Sequence, residues 1–184
     1  MTMRGRSPSC WPSTSPSART SYSNWGSALA AQVVADVAGE DYGSFVRREL
    51  LEPLGMRDTV WDGPTRMDAA TRARLAQGYA ERGGVLKPEP ELQLGAYWPA
   101  GGISTTAADM ARWMRFHLNA GELDGRRLLS AETHALVFSR PFSDRADAAD
   151  VTHGFIQTPF RGLQLTGHGG ATESYLSNLV LVPE

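Results

Sequence analysis

Two short stretches of the sequence carry side chains that could do chemistry. Tyr22-Ser23-Asn24 places a phenol, a hydroxyl and a carboxamide directly before a helical pattern. His168 lies between Gly167 and Gly169-Gly170, where the missing side chains let the backbone approach a ligand closely. Each stretch also has an ordinary structural interpretation, because the triplet can cap the helix that follows and a glycine-rich β-turn can contain an incidental histidine. Their meaning depends on the rest of the chain.

Other chemistries lack the residues that they require. The sequence contains no G-x-S-x-G nucleophile motif, no P-loop and no complete dinucleotide fingerprint. Its single cysteine, Cys10, excludes an internal disulfide and a cysteine-based metal cluster. Lys87 is the only lysine among 18 basic residues, so any chemistry that needs a lysine must use it. The histidines lack the spacing of a zinc site, and they are His117, His134, His153 and His168. No metal or cofactor is predicted.

The composition is that of one soluble globular domain. The chain has 184 residues, of which 41% are hydrophobic and 21% charged, and its net charge of −2 gives no basic surface for nucleic acid. No apolar run approaches the ~20 residues of a membrane span, and the N-terminus lacks the apolar centre of a secretory signal. The chain as given is therefore predicted to be cytoplasmic, with a small molecule as its partner.

Apolar periodicity predicts four helices within an ordered domain over residues 21–184, after a Ser/Pro/Arg-rich leader, residues 1–20, that is disordered or non-native. The first helix starts at Asn24, repeats apolar residues every four positions and stops at Gly39. The second runs from near Asp41 to Pro53. The third is capped by Thr106, closes at Gly121 and has an apolar face of Met110, Trp113, Met114, His117 and Leu118, and a shorter fourth follows Ser130.

Strands are predicted in two regions. Residues 57–100 read as a long excursion with short strands, and the chain after the fourth helix reads as antiparallel strands with turns at 159–162 and 167–172. The last strand ends on a hydrophobic run, which predicts a missing neighbour. His117, on the apolar face of its helix, is predicted to be a core histidine that donates to a backbone carbonyl.

The order and spacing of four segments resemble the serine beta-lactamase-related hydrolases. The segments are "SYSNWG", "EPLGM", "PAGGISTTAADMARW" and "GHGGATESYLSNLVLVPE", and the resemblance covers residues 21–184. The family includes class C beta-lactamases, family VIII carboxylesterases, DD-peptidases and D-aminopeptidases. It implies a beta-lactamase/transpeptidase-like α/β (α+β) fold, in which helices flank an antiparallel sheet.

The resemblance also implies roles for the two stretches. Tyr22 would exchange a proton with the nucleophile and leaving group, and Asn24 would hydrogen-bond lysine and substrate. His168 with Gly169 and Gly170 would form the Lys/His-x-Gly element beside the substrate, and Ala171 would supply a backbone N–H to the oxyanion hole. Histidine at this position is associated with esterase-like and peptidase-like members, which favours those activities over dedicated penicillin hydrolysis.

One family motif is absent, because no serine has a lysine three residues later and position 84, three before Lys87, is glycine. The sequence is therefore predicted to be a fragment truncated at both ends, without the Ser-x-x-Lys nucleophile and inactive alone, from a family that cleaves ester, amide or lactam carbonyls. Family members are often periplasmic or secreted. Two alternatives stay open: a non-catalytic module that binds acyl or peptidoglycan-like ligands, and a product without a stable fold. The acyl substrate and the oligomeric state are left open.

Overall fold

A computed structural model describes residues 22–61, 67–90, 94–140 and 150–183. The predicted leader, residues 1–20, lies outside these ranges. The helices are α1 (Asn24–Ala38), α2 (Tyr42–Val46) continued by a π-helical turn (Arg47–Leu51), α3 (Ala69–Arg72), a 3-10 turn (Gly95–Tyr97) leading into α4 (Trp98–Gly101), α5 (Ala107–Leu118) and α6 (Ala131–Phe138). The strands are β1 (Tyr79–Arg82), β2 (Val85–Pro88), β3 (Glu122–Leu123), β4 (Arg126–Arg127), β5 (Asp150–Val151), β6 (Ile156–Phe160), β7 (Leu163–Ala171) and β8 (Leu176–Leu181).

Side-chain caps fix where the predicted helices begin. The Ser23 hydroxyl accepts a hydrogen bond from the N–H of Gly26 at 3.1 Å and starts α1. Gly39 ends that helix in the left-handed region with a φ of 69°. Ser130 caps α6 in the same way, accepting from the N–H of Thr133 at 3.0 Å. The predicted starts of these helices and the glycine stop of α1 are confirmed.

Helix α5 anchors both a loop and the helical core. The Thr106 hydroxyl accepts from the N–H of Asp109 at 3.2 Å, as the capping pattern predicts. The buried Asp109 carboxylate does not complete the capping box; it accepts from the N–H of Asp58 at 2.8 Å and from the hydroxyl of Thr59 at 2.7 Å. The start of α5 therefore fixes the chain near residue 58, where Val60 and Ser104 form a β-bridge.

The core of the helical part surrounds Phe116, whose side chain is 0% exposed. Its buried partners are Val46, Leu51, Leu54, Met56 and Leu123. The predicted apolar face of α5 included Leu118 and omitted Phe116, and this was wrong, because Leu118 is 49% exposed. Among the predicted residues of the second helix, Val46 and Leu51 are buried and Phe45 and Leu50 pack against them, as expected.

The predicted excursion over residues 57–100 does contain short strands. Strands β1 and β2 form an antiparallel hairpin, in which Arg82 pairs with Val85 and Tyr79 with Pro88. The short helices α3 and α4 flank this hairpin in the sequence. The excursion therefore has more regular structure than its composition indicates.

The main sheet is antiparallel, with strand order β5-β6-β7-β8. The predicted turn at 167–172 was wrong, because residues 167–171 lie within β7 and the chain reverses after them. The register fixes the two faces of the sheet, since directly opposed residues point the same way. The row Gln157, Thr166 and Leu181 is 9%, 0% and 1% exposed and faces inward.

Two apolar surfaces stay exposed among the described residues. On α1 the four-residue repeat is solvent-exposed, and its members are Trp25, Leu29, Val33 and Val37. The outer face of the sheet is also apolar, with Ile156, Phe160, Leu163, Leu176 and Val180 all at least 36% exposed. The pattern on α1 thus identified the helix but not a buried side, since Ala31 is the buried residue of that helix. None of the described helices combines the length and apolar character needed to span a membrane.

Truncating Phe116 tests the central place of α5. We expect Phe116→Ala to lower the free energy of unfolding by about 3–5 kcal/mol, because it removes a buried ring and leaves a cavity. Leu118→Ala, on the exposed side of the same helix, should cost less than about 1 kcal/mol. Urea denaturation followed by circular dichroism measures both, and equal losses for the two variants would contradict this description of the core.

Candidate active site

Two predicted site residues, 146 positions apart in the numbering, face each other. Tyr22 immediately precedes the residue that caps α1, and His168 lies on the inward face of β7, two residues after the buried Thr166. Their ring centroids are 5.6 Å apart at an interplanar angle of 42°. Tyr22 is 59% exposed, so the pair lies open to an incoming molecule.

The imidazole of His168 has a defined orientation. Its Nδ1 is 2.6 Å from the carbonyl oxygen of Gly169. A carbonyl oxygen can only accept, so Nδ1 carries the hydrogen in this contact and Nε2 of the neutral ring is left as an acceptor. The rings of a phenol, which can donate, and of an imidazole with an accepting nitrogen are thus neighbours, with centroids 5.6 Å apart.

The glycines around His168 bring two backbones together. A Cβ on Gly167 would lie 2.1 Å from the carbonyl oxygen of Leu179 on β8, which leaves no room for any side chain. A Cβ on Gly169 would be 3.7 Å from the nearest backbone atom, the oxygen of Ser177, which is an ordinary contact distance. Gly167 therefore serves the pairing of β7 with β8, whereas Gly169 leaves open space beside the strand.

The remaining predicted residues lie on the same two elements. Gly169, Gly170 and Ala171 are exposed and form the last residues of β7, beyond His168. Asn24 is the exposed first residue of α1, two positions after Tyr22. The start of α1 and the end of β7 together make up the candidate site.

A third side of the site was not foreseen from the sequence. The Tyr175 hydroxyl, in the turn after β7, donates to the carbonyl of Ala76 at 2.7 Å. A Cβ on Gly78 would be 2.8 Å from the Tyr175 ring, so the segment that enters β1 packs directly on that turn. Arg82 of β1 also lies 4.0 Å from Glu173 of the turn. No local pattern signals these contacts, because Ala76 and Tyr175 are 99 residues apart.

An open groove lies elsewhere on the molecule. It has a volume of about 710 Å³, runs between α1 and α4, and is lined by residues such as Ala31, Tyr42 and Trp98. None of the predicted site residues lines it. Within the part of the chain that the structure describes, no three His, Cys, Asp or Glu side chains are grouped as a metal site would require.

Sequence comparison decides the family. The profile of the Beta-lactamase family matches residues 3–184. The chain belongs to the beta-lactamase family. A human beta-lactamase-like protein is 33% identical over 173 residues, which are 91% of this chain and 32% of the human one. Penicillin-binding protein 4 of Amycolatopsis lactamdurans is 30% identical over 177 residues, 91% of this chain and 45% of that protein.

A solved structure shows the same fold. The octameric penicillin-binding protein homologue from Pyrococcus abyssi superimposes with a TM-score of 0.74 at 23% identity, over 94% of this chain and 38% of the other. The predicted beta-lactamase/transpeptidase-like fold of helices and an antiparallel sheet is confirmed. The chain spans between about a third and a half of the length of these matched proteins.

Alanine substitution of two glycines tests the geometry of the strand pair. Gly167→Ala should lower the free energy of unfolding by about 3 kcal/mol or more, because its methyl group would clash with the Leu179 carbonyl. Gly169→Ala, its matched control on the other side of His168, should be tolerated within about 1 kcal/mol. Urea denaturation compares the two, and an equally stable Gly167→Ala variant would show that β7 and β8 do not approach as described.

Proposed function

We propose that this chain carries the proton-transfer and carbonyl-binding part of a serine hydrolase that acts by acyl transfer on ester, amide or lactam substrates. The observation that carries the proposal is the Tyr22–His168 pair, with ring centroids 5.6 Å apart where α1 begins and β7 ends. The two residues belong to different family motifs and come from opposite ends of the described chain. Their proximity is what a shared site requires.

The proposed reaction needs a serine nucleophile in addition to these residues. A serine Oγ attacks the substrate carbonyl while its proton passes to a basic group, and the C–O, C–N or lactam bond then breaks as the leaving group takes up a proton. Water hydrolyses the resulting acyl-enzyme. In this scheme Tyr22 is the group that relays the proton, and Nε2 of His168 can accept a hydrogen bond from the Tyr22 phenol.

The end of β7 is suited to holding the carbonyl group. Gly169 and Gly170 present exposed backbone, and the proposed oxyanion donor is the N–H of Ala171. Asn24 would orient the lysine of the nucleophile motif and the substrate. Lys87 does not fit the part of that lysine by sequence, since Gly84 stands three residues before it.

One named relative and the identity of residue 168 bear on which of these substrates is cleaved. Escherichia coli AmpH, 26% identical over 174 residues, is named as a D-alanyl-D-alanine carboxypeptidase and endopeptidase. Together with histidine rather than lysine at position 168, this supports a peptide-like or ester-like substrate for the complete enzyme.

A binding-only module is the second candidate, and a specific observation favours it. The 184 residues contain no Ser-x-x-Lys motif. Such a module would hold an acyl or peptidoglycan-like ligand against β7 without cleaving it. The two candidates differ in whether adding a nucleophile segment creates hydrolysis.

The decisive experiment compares the 184-residue chain with the same chain extended at its N-terminus by the coding sequence that lies upstream in the gene. The chain alone should not react with a fluorophosphonate probe and should not hydrolyse nitrophenyl acyl esters, because it lacks the nucleophile. The extended protein, if it contains Ser-x-x-Lys, should gain both activities. Specific labelling of the 184-residue chain would contradict the first expectation, and an extended protein that folds but stays inactive would favour the binding module.

Point variants in an active extended protein test the assigned pair. Tyr22→Phe removes only the phenolic proton and should lower kcat by about 100-fold or more, within the usual range for losing a general acid–base group. Tyr79→Phe is the matched control, because Tyr79 is an exposed tyrosine of the β1 strand. If both variants retained full kcat, Tyr22 would not be the proton relay.

A further inference from the structure

Two buried histidines join helix α5 to helix α6. His117 Nδ1 and His134 Nε2 are 3.2 Å apart, and the residues are 5% and 7% exposed. One ring must donate and the other must accept, so the contact holds one hydrogen between two neutral rings. The predicted bond from His117 to a backbone carbonyl is thus replaced by a bond to a second histidine.

The surroundings of His117 do not accommodate a positive charge on its ring. The His117 ring is surrounded by aromatic rings, with centroids 4.4 Å from Trp113, 5.1 Å from Phe116, 5.6 Å from Phe138 and 5.2 Å from Phe155. Its Nε2 is buried and has no hydrogen-bond partner among the described residues. A protonated His117 would carry a charged donor on that nitrogen with no acceptor, and it would lose the ability to accept at Nδ1.

The charges around the pair act in the same direction. Desolvation, and next the neighbouring His134, lower the pKa of His117 from 6.5 to about 4. Burial, and next the guanidinium of Arg127 on β4, lower the pKa of His134. Two further titratable groups lie at α6: Glu132 in its first turn, and His153, whose Nδ1 lies 2.8 Å from the Leu136 carbonyl. No carboxylate is among the groups acting on the pKa of either ring of the pair.

Helix α6 also packs against the sheet. The Gln157 side chain of β6 donates to the Phe138 carbonyl at 3.1 Å, and the Phe138 and Phe155 rings stack with centroids 5.3 Å apart. The N–H of His153 donates to the Val137 carbonyl at 3.3 Å. The sheet therefore packs on the end of α6, and both contact α5 at His117, α6 through His134 and Phe138 and the sheet through Phe155.

We infer that the His117–His134 pair is an acid-sensitive joint, which releases α6 and the sheet from the helical core when it is protonated. Because His168 lies on the sheet and Tyr22 at the start of α1, opening this joint would separate the two residues. The inference concerns how the sheet is attached, and it holds whether or not the proposed hydrolase function is correct.

The sign of the pH effect follows from the lowered pKa. The unfolded chain binds protons at His117 near pH 6.5, while the folded chain resists them until about pH 4. Stability from the pair is therefore complete above about pH 6.5 and is lost as the pH falls towards 4. Between pH 7 and pH 5 the pKa change at His117 alone should raise the unfolding equilibrium constant of the joint by about 20-fold.

Hydrogen exchange on the 184-residue chain tests the inference, with rates corrected for the pH dependence of chemical exchange. At pH 5 compared with pH 7, amides of α6 and β5–β8 should lose about 20-fold protection while α2 and α5 keep theirs. An equal loss of protection in all elements, or no loss of protection in α6 and the sheet, would overturn the inference.

Two variants test whether the pH effect on hydrogen exchange comes from the His117–His134 pair. The His117→Phe side chain suits the aromatic surroundings and cannot be protonated. The loss of protection in α6 and β5–β8 between pH 7 and pH 5 should therefore shrink to a few-fold. His168→Gln is the control histidine, outside the pair, and should retain the full effect. If His117→Phe does not fold, imidazole nitrogen NMR of the unaltered chain decides: His117 should stay neutral to near pH 4, and protonation near 6.5 would overturn the inference.

Discussion

The close pairing of β7 with β8 is the constraint on which the candidate site depends. At Gly167 the opposing Leu179 carbonyl leaves no space for a side chain, so the two strands are in direct backbone contact one residue before His168. Strand alternation then turns Thr166 and His168 inward and Gly167 and Gly169 outward. The direction of the imidazole towards Tyr22 is thus a consequence of register, and a one-residue slip would turn it to the opposite face.

Apolar side chains stay exposed on the outer face of the sheet and on α1. An antiparallel sheet with one face in water normally carries polar residues there, yet Phe160, Leu163 and Leu176 are more than half exposed on the outer face. The α1 repeat adds Leu29 and Val37, at 66% and 84% exposed. Large exposed apolar patches favour association or aggregation. Among the described residues, the buried apolar contacts include the core around Phe116 and the aromatic rings around His117.

Local signals in the sequence predicted much of the fold. Ser23, Thr106 and Ser130 each cap the helix that was expected to follow them, because capping depends on residues only three positions apart. The four-residue repeat of α1 predicted a helix but not its exposure, which depends on what lies against it. The glycines at 167–170 were predicted as a turn because glycine favours turns; close strand packing requires glycine equally, and sequence does not distinguish the two.

The candidate site likewise has residues that short motifs predict and contacts that depend on the whole fold. Tyr22, Asn24 and His168 were identified by short motifs, and the structure brings Tyr22 and His168 together. The support from Tyr175 on Ala76 and the His117–His134 contact could not be predicted, because each joins elements whose relative positions follow only from the fold.

The two halves of the candidate site are therefore held by different forces. Tyr22 is placed by a local helix start, while His168 is placed by a sheet that contacts the segment before β1 through Tyr175 and is attached to the helices at α6. That attachment is made of aromatic stacking, a few hydrogen bonds and one pair of neutral histidines. A site built across such a junction depends on the protonation state of groups outside it, since a charge on His117 has no compensating partner in its aromatic surroundings. The geometry of Tyr22 and His168 is for this reason tied to the chemistry of residues that neither of them touches.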